Sequence, residues 1–236
     1  MKYSNAFRGI YPAVLTPFKA NSEIDFKAFE KLVEHLYISG SAGVFVGGNM
    51  GEWYTQTLEE RKQVVELAVK LSKGLGKVIL HVGNFRTHDA IELARFGEKI
   101  GVDGIASLPP YYARLQERDV VYYYRQVAEA TSLPFFIYHF PMLTGYQIGK
   151  ETMEMMATLP NMAGVKFTDH ELLNLTNLIE FENNGLCVMN GQDQVLFPSL
   201  SMGASGGIGS FYNIIPRAFV SLYNYTRNGN MEAARQ

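Results

Sequence analysis

Cysteine is almost absent from this chain. Cys187 stands alone, so no intrachain disulfide can form and no thiolate cluster can hold a metal, a usage that fits a reducing compartment. Histidine is scarce and scattered: His35, His81, His88, His139 and His170 include no pair at ligand spacing, so neither a metal nor another cofactor is expected. A basic excess is lacking too. The 21 Lys and Arg against 23 Asp and Glu leave a formal charge of −2 with no basic cluster, which argues against a nucleic-acid or anionic-membrane partner. No apolar run approaches the ~18 residues of a membrane span, and Met1 to Arg8 lack the apolar stretch of a signal peptide. The expectation is a soluble cytoplasmic protein that handles a small molecule.

What the chain does have is alternation. Short apolar runs, Gly9–Leu15, Ala42–Gly48, Lys77–Val82, Gly104–Leu108, Pro134–Tyr138, Ala163–Lys166, Leu186–Met189 and Gly206–Gly209, read as buried strands. Between and after them lie helical patterns. Phe29, Leu32, Val33 and Leu36 repeat at one face of a helix, and Thr57 with Glu60 forms a capping box ahead of Val64, Leu67, Ala68 and Leu71. Further helices are predicted over Thr87–Ile100, Glu117–Ala130, Lys150–Leu159, His170–Asn183, Val195–Met202 and Pro216–Arg227. Eight strand–helix units predict a (β/α)₈ TIM barrel occupying residues 1–236 as one domain, with its site at the carboxyl ends of the strands. Residues 229–236 open a helical sequence that stops without a cap, so the pattern is expected to continue beyond them.

Lys166 breaks the apolar pattern. An ammonium at the end of a buried run loses hydration, and the same desolvation lowers its pKa and makes the amine a nucleophile. Tyr138 ends the preceding strand in the equivalent place and offers a phenol for proton transfer. The plainer alternative is a lysine snorkelling from a strand end beside a core tyrosine.

Loops after the strands carry the other candidates. Gly47-Gly48-Asn49-Met50-Gly51-Glu52 reads either as a nest of backbone N–H groups for a small carboxylate or as a tight turn. Gly206-Gly207-Ile208-Gly209-Ser210 suits either a phosphate or close backbone packing, and no Lys or Arg in it favours phosphate. Asn190-Gly191-Gln192-Asp193-Gln194 groups hydrogen-bonding side chains fit for a polyhydroxylated ligand. Pro109-Pro110-Tyr111-Tyr112 sets two tyrosines on a stiff loop, for packing between copies or for a site.

Taken together, Gly48 to Glu52, Pro110-Tyr111-Tyr112, Tyr138-His139-Phe140-Pro141-Met142-Leu143-Thr144-Gly145, Gly164-Val165-Lys166-Phe167-Thr168 and Gly206 to Ser210 resemble the dihydrodipicolinate synthase / N-acetylneuraminate lyase family of class I pyruvate aldolases. Leu143 stands where the synthases usually have an arginine, which places the resemblance on the lyase side. The resemblance implies a Schiff base at Lys166, proton transfer by Tyr138, and completion of the relay by Tyr112 across a subunit interface. The amides of Asn49 and Met50 would hold the carboxylate of a 2-keto acid, and Thr168, Gly191, Asp193, Gln194, Gly209 and Ser210 would meet the sugar hydroxyls. It implies cleavage of N-acetylneuraminate to pyruvate and N-acetylmannosamine, a homo-oligomer built as a dimer of dimers, and further carboxyl-terminal helices that this chain largely lacks. The other readings are another pyruvate-dependent aldolase, hydratase-aldolase or sugar-acid dehydratase of the family, or a non-catalytic member. There are two departures from the family pattern: Asn49-Met50 replaces a hydroxyl pair, and Gln194 replaces a glutamate.

Overall fold

The computed structural model describes residues 3, 5–181 and 185–236. Eight strands are present: β1 (Gly9–Pro12), β2 (Gly43–Val46), β3 (Lys77–His81), β4 (Gly104–Ser107), β5 (Phe135–His139), β6 (Met162–Phe167), β7 (Cys187–Asn190) and β8 (Gly206–Gly209). All pair in parallel in the order β1-β8-β7-β6-β5-β4-β3-β2. Ala42 N–H to Ile10 O and Val14 N–H to Phe45 O, both 2.9 Å, draw β1 against β2, so the sheet curls into a nearly closed (β/α)₈ barrel.

The helices follow as expected, with shorter ends: α1 (Phe26–Ile38), α2 (Leu58–Ser72), α3 (Thr87–Ile100), α4 (Glu117–Ala128), α5 (Pro141–Thr144), α6 (Lys150–Ala157), α7 (Leu172–Ile179), α8 (Leu196–Met202), α9 (Pro216–Arg227) and α10 (Met231–Arg235). The capping box at Thr57 and Glu60 is formed and starts α2. The helix expected to run to Asn183 has its described part end at Ile179, and Asn183 lies outside the described residues. Strand one stops at Pro12 and not Leu15; beyond it Ala13 makes an isolated bridge to Phe45, and Leu15 N–H donates to the Asn213 side chain instead of a neighbouring strand. The short turn α5 is an addition to the expected pattern; Pro141 at its first position starts it, and Gly145 at φ 66° ends it.

Two apolar layers result. Alternate strand residues Tyr11, Phe45, Ile79, Phe136, Met189 and Ile208 fill the inside of the barrel, with Phe7 meeting Phe136 edge to face at 5.0 Å. The opposite strand faces, including Val44, Leu80, Ile105, Ile137, Val165 and Val188, pack against the helices. Gly206 is needed where β8 meets β1, since a Cβ there would lie 2.0 Å from Gly9 O.

Candidate active site

The period of two along β6 decides which side chain enters the barrel: Val165 and Phe167 face the helices, and Lys166 between them faces inward. Lys166 pairs in register with Tyr138 of β5 and Met189 of β7. Its Nζ lies 4.1 Å from the centre of the Phe45 ring and 3.8 Å from that of Tyr138. The residue is only 3% exposed, and burial brings its pKa down to about 7, the Asp193 carboxylate opposing part of the shift. Near neutrality much of this lysine is therefore a free amine, the form that adds to a carbonyl.

Tyr138 is enclosed by Phe45, His81 and Phe140. Burial pushes its phenol upward, against a downward pull from Thr168. The Thr168 hydroxyl is near enough to act on the phenol, yet it has no hydrogen-bond partner of good geometry among the described residues. Beside a neutral amine the tyrosine is a neutral phenol, and a cation formed at Lys166 is what would favour its phenolate.

The loops after β6, β7 and β8 form a polar wall. Asp193 bridges two of them: its carboxylate accepts from Ser210 N–H at 3.0 Å and Phe211 N–H at 2.9 Å. Desolvation raises its pKa, with those N–H groups and Lys166 opposing. The glycines here make room. A Cβ on Gly209 would lie 1.8 Å from Asp193 Oδ1, and one on Gly191 would lie 2.0 Å from Thr168 Oγ1. Thr168, Gly191, Asp193, Gly209 and Ser210 are thus brought together, while Gln194 is exposed in the turn Asp193–Val195.

Across the mouth the wall is apolar. Met50, Tyr111, Phe140 and Leu143 all pack on the cluster inside the barrel. Asn49, Met50 and Gly51 make a 3-10 turn whose own bonds run from Gly51 to Gly48 and from Glu52 to Asn49, leaving the first N–H groups outside it. The Asn49 carboxamide is already engaged, its Oδ1 accepting from Trp53 Nε1 at 3.2 Å. Tyr112 is 95% exposed on the loop after β4, so one chain does not bring it to Lys166 and Tyr138.

Sequence reading passed over three residues beneath the Asn49 loop: Trp53, Arg61 and His81. All are buried, and their rings and guanidinium pack together. A signal existed for one of them, since Arg61 falls on the buried face of α2 with Val64, Val65 and Ala68. His139 faces away from the barrel interior; its Nε2 lies 3.6 Å from Asp169, and burial brings its pKa down to about 4 against the pull of that carboxylate. Among the described residues no group of three or more His, Cys, Asp or Glu is placed to hold a metal ion, and no helix is long and apolar enough to cross a membrane.

Comparison with known proteins gives a consistent family. Residues 6–236 match the dihydrodipicolinate synthetase family. The 4-hydroxy-tetrahydrodipicolinate synthase of Methanocaldococcus jannaschii is 34% identical over 231 residues, 98% of this chain and 79% of that protein. The N-acetylneuraminate lyase of Rhizobium meliloti is 34% identical over 228 residues, 97% of this chain and 76% of that one. The structure of a catalytic-lysine mutant of the Ruminococcus gnavus sialic acid aldolase superposes with a TM-score of 0.96 at 30% identity, covering 100% of this chain and 77% of its own.

Proposed function

The chain belongs to the dihydrodipicolinate synthetase family, a family of class I pyruvate aldolases, and from that premise we propose that it cleaves N-acetylneuraminate to pyruvate and N-acetylmannosamine. The observation that carries the proposal is Lys166, an amine buried between two aromatic faces with its pKa brought down to about 7.

The neutral Nζ adds to the C2 ketone of the open-chain sugar acid, and the hydroxyl so formed takes a proton from solvent and leaves as water to give an iminium. Its charge lies against the Tyr138 ring and favours the phenolate, the phenol's proton passing to solvent, and the phenolate takes the proton of the C4 hydroxyl. The C3–C4 bond breaks, its electron pair passes into the iminium to give an enamine, and the aldehyde of N-acetylmannosamine departs. Tyr138 returns its proton to C3, and water hydrolyses the imine to free pyruvate and the amine. The N–H groups of Asn49 and Met50 hold the carboxylate, and Thr168, Gly191, Asp193, Gln194, Gly209 and Ser210 meet the hydroxyls of the tail. Tyr112 joins the site of a neighbouring chain in a dimer of dimers.

Synthases and lyases stand at equal identity among these relatives, so the choice rests on the mouth. Leu143 packs there with Met50, Tyr111 and Phe140 and offers no cation to a second carboxylate, whereas Asp193 and its neighbours offer hydrogen bonds to hydroxyls. One observation favours a different sugar acid: neither residue 49 nor residue 50 carries a hydroxyl, and the Asn49 carboxamide is tied to Trp53. Pyruvate release measured over a panel of sugar acids, with aspartate semialdehyde condensation run alongside, tests the proposal. N-acetylneuraminate should be the best substrate. Efficient condensation with the semialdehyde, or a dehydrated product from another sugar acid, would overturn it.

A further inference from the structure

Arg61 is a buried cation whose charge is not spent on an acid. It projects from α2 with 3% of its surface exposed. Nη2 donates to His81 O at 2.6 Å and Nη1 to Gly83 O at 3.1 Å, while Nε has no partner. No carboxylate among the described residues stands within ion-pair distance. Asp89, whose field reaches it, lies 3.6 Å from both Arg86 and His88. Burial lowers the guanidinium only to about 10, so it remains charged at neutral pH. Keeping such a charge from water without an acid is costly, and two carbonyls offset only part of that cost.

What the guanidinium touches leads to the loop after β2. Its carbon lies 5.2 Å from the centre of the Trp53 ring, and the indole N–H of Trp53 holds Asn49 Oδ1. The strand end that Arg61 grips carries His81, whose Nε2 accepts from Leu108 N–H at 3.3 Å. That leaves Nδ1 as the protonated nitrogen, donating to Gly47 O at 2.8 Å. Gly47, whose carbonyl His81 holds, precedes the turn, and Glu52, which closes it, sits at φ 53°, a left-handed conformation that is costly for a residue other than glycine. Both supports, Trp53 and His81, rest on the same guanidinium.

We infer that Arg61 is a positioning residue that makes the Asn49–Met50 turn selective for a carboxylate, bracing its N–H groups through Trp53 and His81 and leaving a net positive charge beneath them. The inference rests on the proposed binding of a 2-keto acid at Lys166. A strut with no electrostatic role would change stability, or the binding of all carbonyl compounds alike. A brace for anion binding changes the preference for a charged ligand over an uncharged one.

The test is borohydride trapping followed by mass measurement, titrating pyruvate and its uncharged methyl ester against wild type, Arg61→Lys, Arg61→Met and Trp53→Phe. In Arg61→Met the half-saturating concentration of pyruvate should rise about tenfold, the loss of one good charge-assisted contact, with that of the ester within about twofold. Arg61→Lys, which keeps the charge and loses the fork, should fall between. Trp53→Phe, which keeps an aromatic ring but removes the N–H to Asn49 and part of the indole surface, should shift the ratio in the same direction by less. If Arg61→Met does not fold, the other two variants decide. Equal shifts for acid and ester, or no shift, overturn the inference while leaving the aldolase reading intact. A wild type that takes no label from pyruvate removes both.

Discussion

Lys166 Nζ lies 3.8 Å from the centre of the Tyr138 ring, so the amine meets the π face of its proposed partner, and among the described residues no carboxylate forms an ion pair with it. Phe45 covers it from another side at 4.1 Å. Two aromatic faces give a protonated amine some attraction, yet burial outweighs them and the pKa falls. The same contact then serves the reaction in the other direction, because an iminium formed at Nζ regains that attraction beside the group that must lose a proton.

The rate of imine formation should follow the deprotonated fraction of Lys166. With a pKa of about 7, trapping with saturating pyruvate should rise roughly tenfold per pH unit below pH 7 and level off above about pH 8. A rate still climbing steeply at pH 9 would mean that the amine titrates as an ordinary lysine.

Stability carries the same signature. The folded pKa near 7 lies below the ordinary 10.5, so between those values the unfolded chain binds more protons and stability rises with pH. Below pH 7 the folded protein carries the full cost of the buried ammonium. Lys166→Met should therefore be more stable than wild type at pH 6.5, by up to about 5 kcal/mol, because each tenfold loss of proton affinity on folding is worth ~1.4 kcal/mol and the fall from 10.5 to about 7 is about three and a half of them. Urea unfolding at pH 6.5 and pH 10 checks this, and a gain that does not shrink at the higher pH contradicts it.

Tyr138→Phe separates the ring from the hydroxyl. The ring that packs on Lys166 and Phe45 is retained, so pyruvate trapping should stay within a few-fold of wild type. Carbon–carbon cleavage should fall about 10²–10⁴-fold, the usual worth of a placed acid–base group. Single-turnover cleavage alongside trapping measures both, and a cleavage rate within tenfold of wild type would assign the proton transfer elsewhere.

The barrel was legible because its strands are buried on both faces and read as continuous apolar runs, and Lys166 stood out as a charge at the carboxyl end of such a run. Thr57 and Glu60 marked a helix start for the same kind of reason, a local hydrogen-bond pattern that needs no tertiary context. The support beneath the Asn49 turn was not legible. It joins Arg61 of α2, His81 of β3 and Trp53 of the loop, and no spacing rule relates residues that meet only after the strands pair. Asn49 shows the cost: from sequence its amide only replaces a hydroxyl, whereas in the fold its oxygen is a fixed acceptor for an indole.

Gly209→Ala tests the polar wall without touching the amine. The added methyl would start 1.8 Å from Asp193 Oδ1 and 2.5 Å from Tyr212 Cζ, and the ring is fully buried, so the carboxylate is the side with room to yield. Moving it strains its bonds to Ser210 and Phe211 N–H, which fix the loops after β7 and β8 relative to each other. Overpacking of this kind typically costs about 1–3 kcal/mol of stability. The turn proposed to take the carboxylate follows β2, with β1 between it and β8, and Asp193 does not touch it, so half-saturation by pyruvate in trapping should change by less than about threefold. KM for N-acetylneuraminate should rise at least tenfold, about the worth of one good polar contact to the tail. Measuring both on one preparation distinguishes the cases. Equal losses for pyruvate and sugar acid would mean that the substitution disturbs the barrel as a whole, and an unchanged KM would mean that the tail does not rest on Asp193.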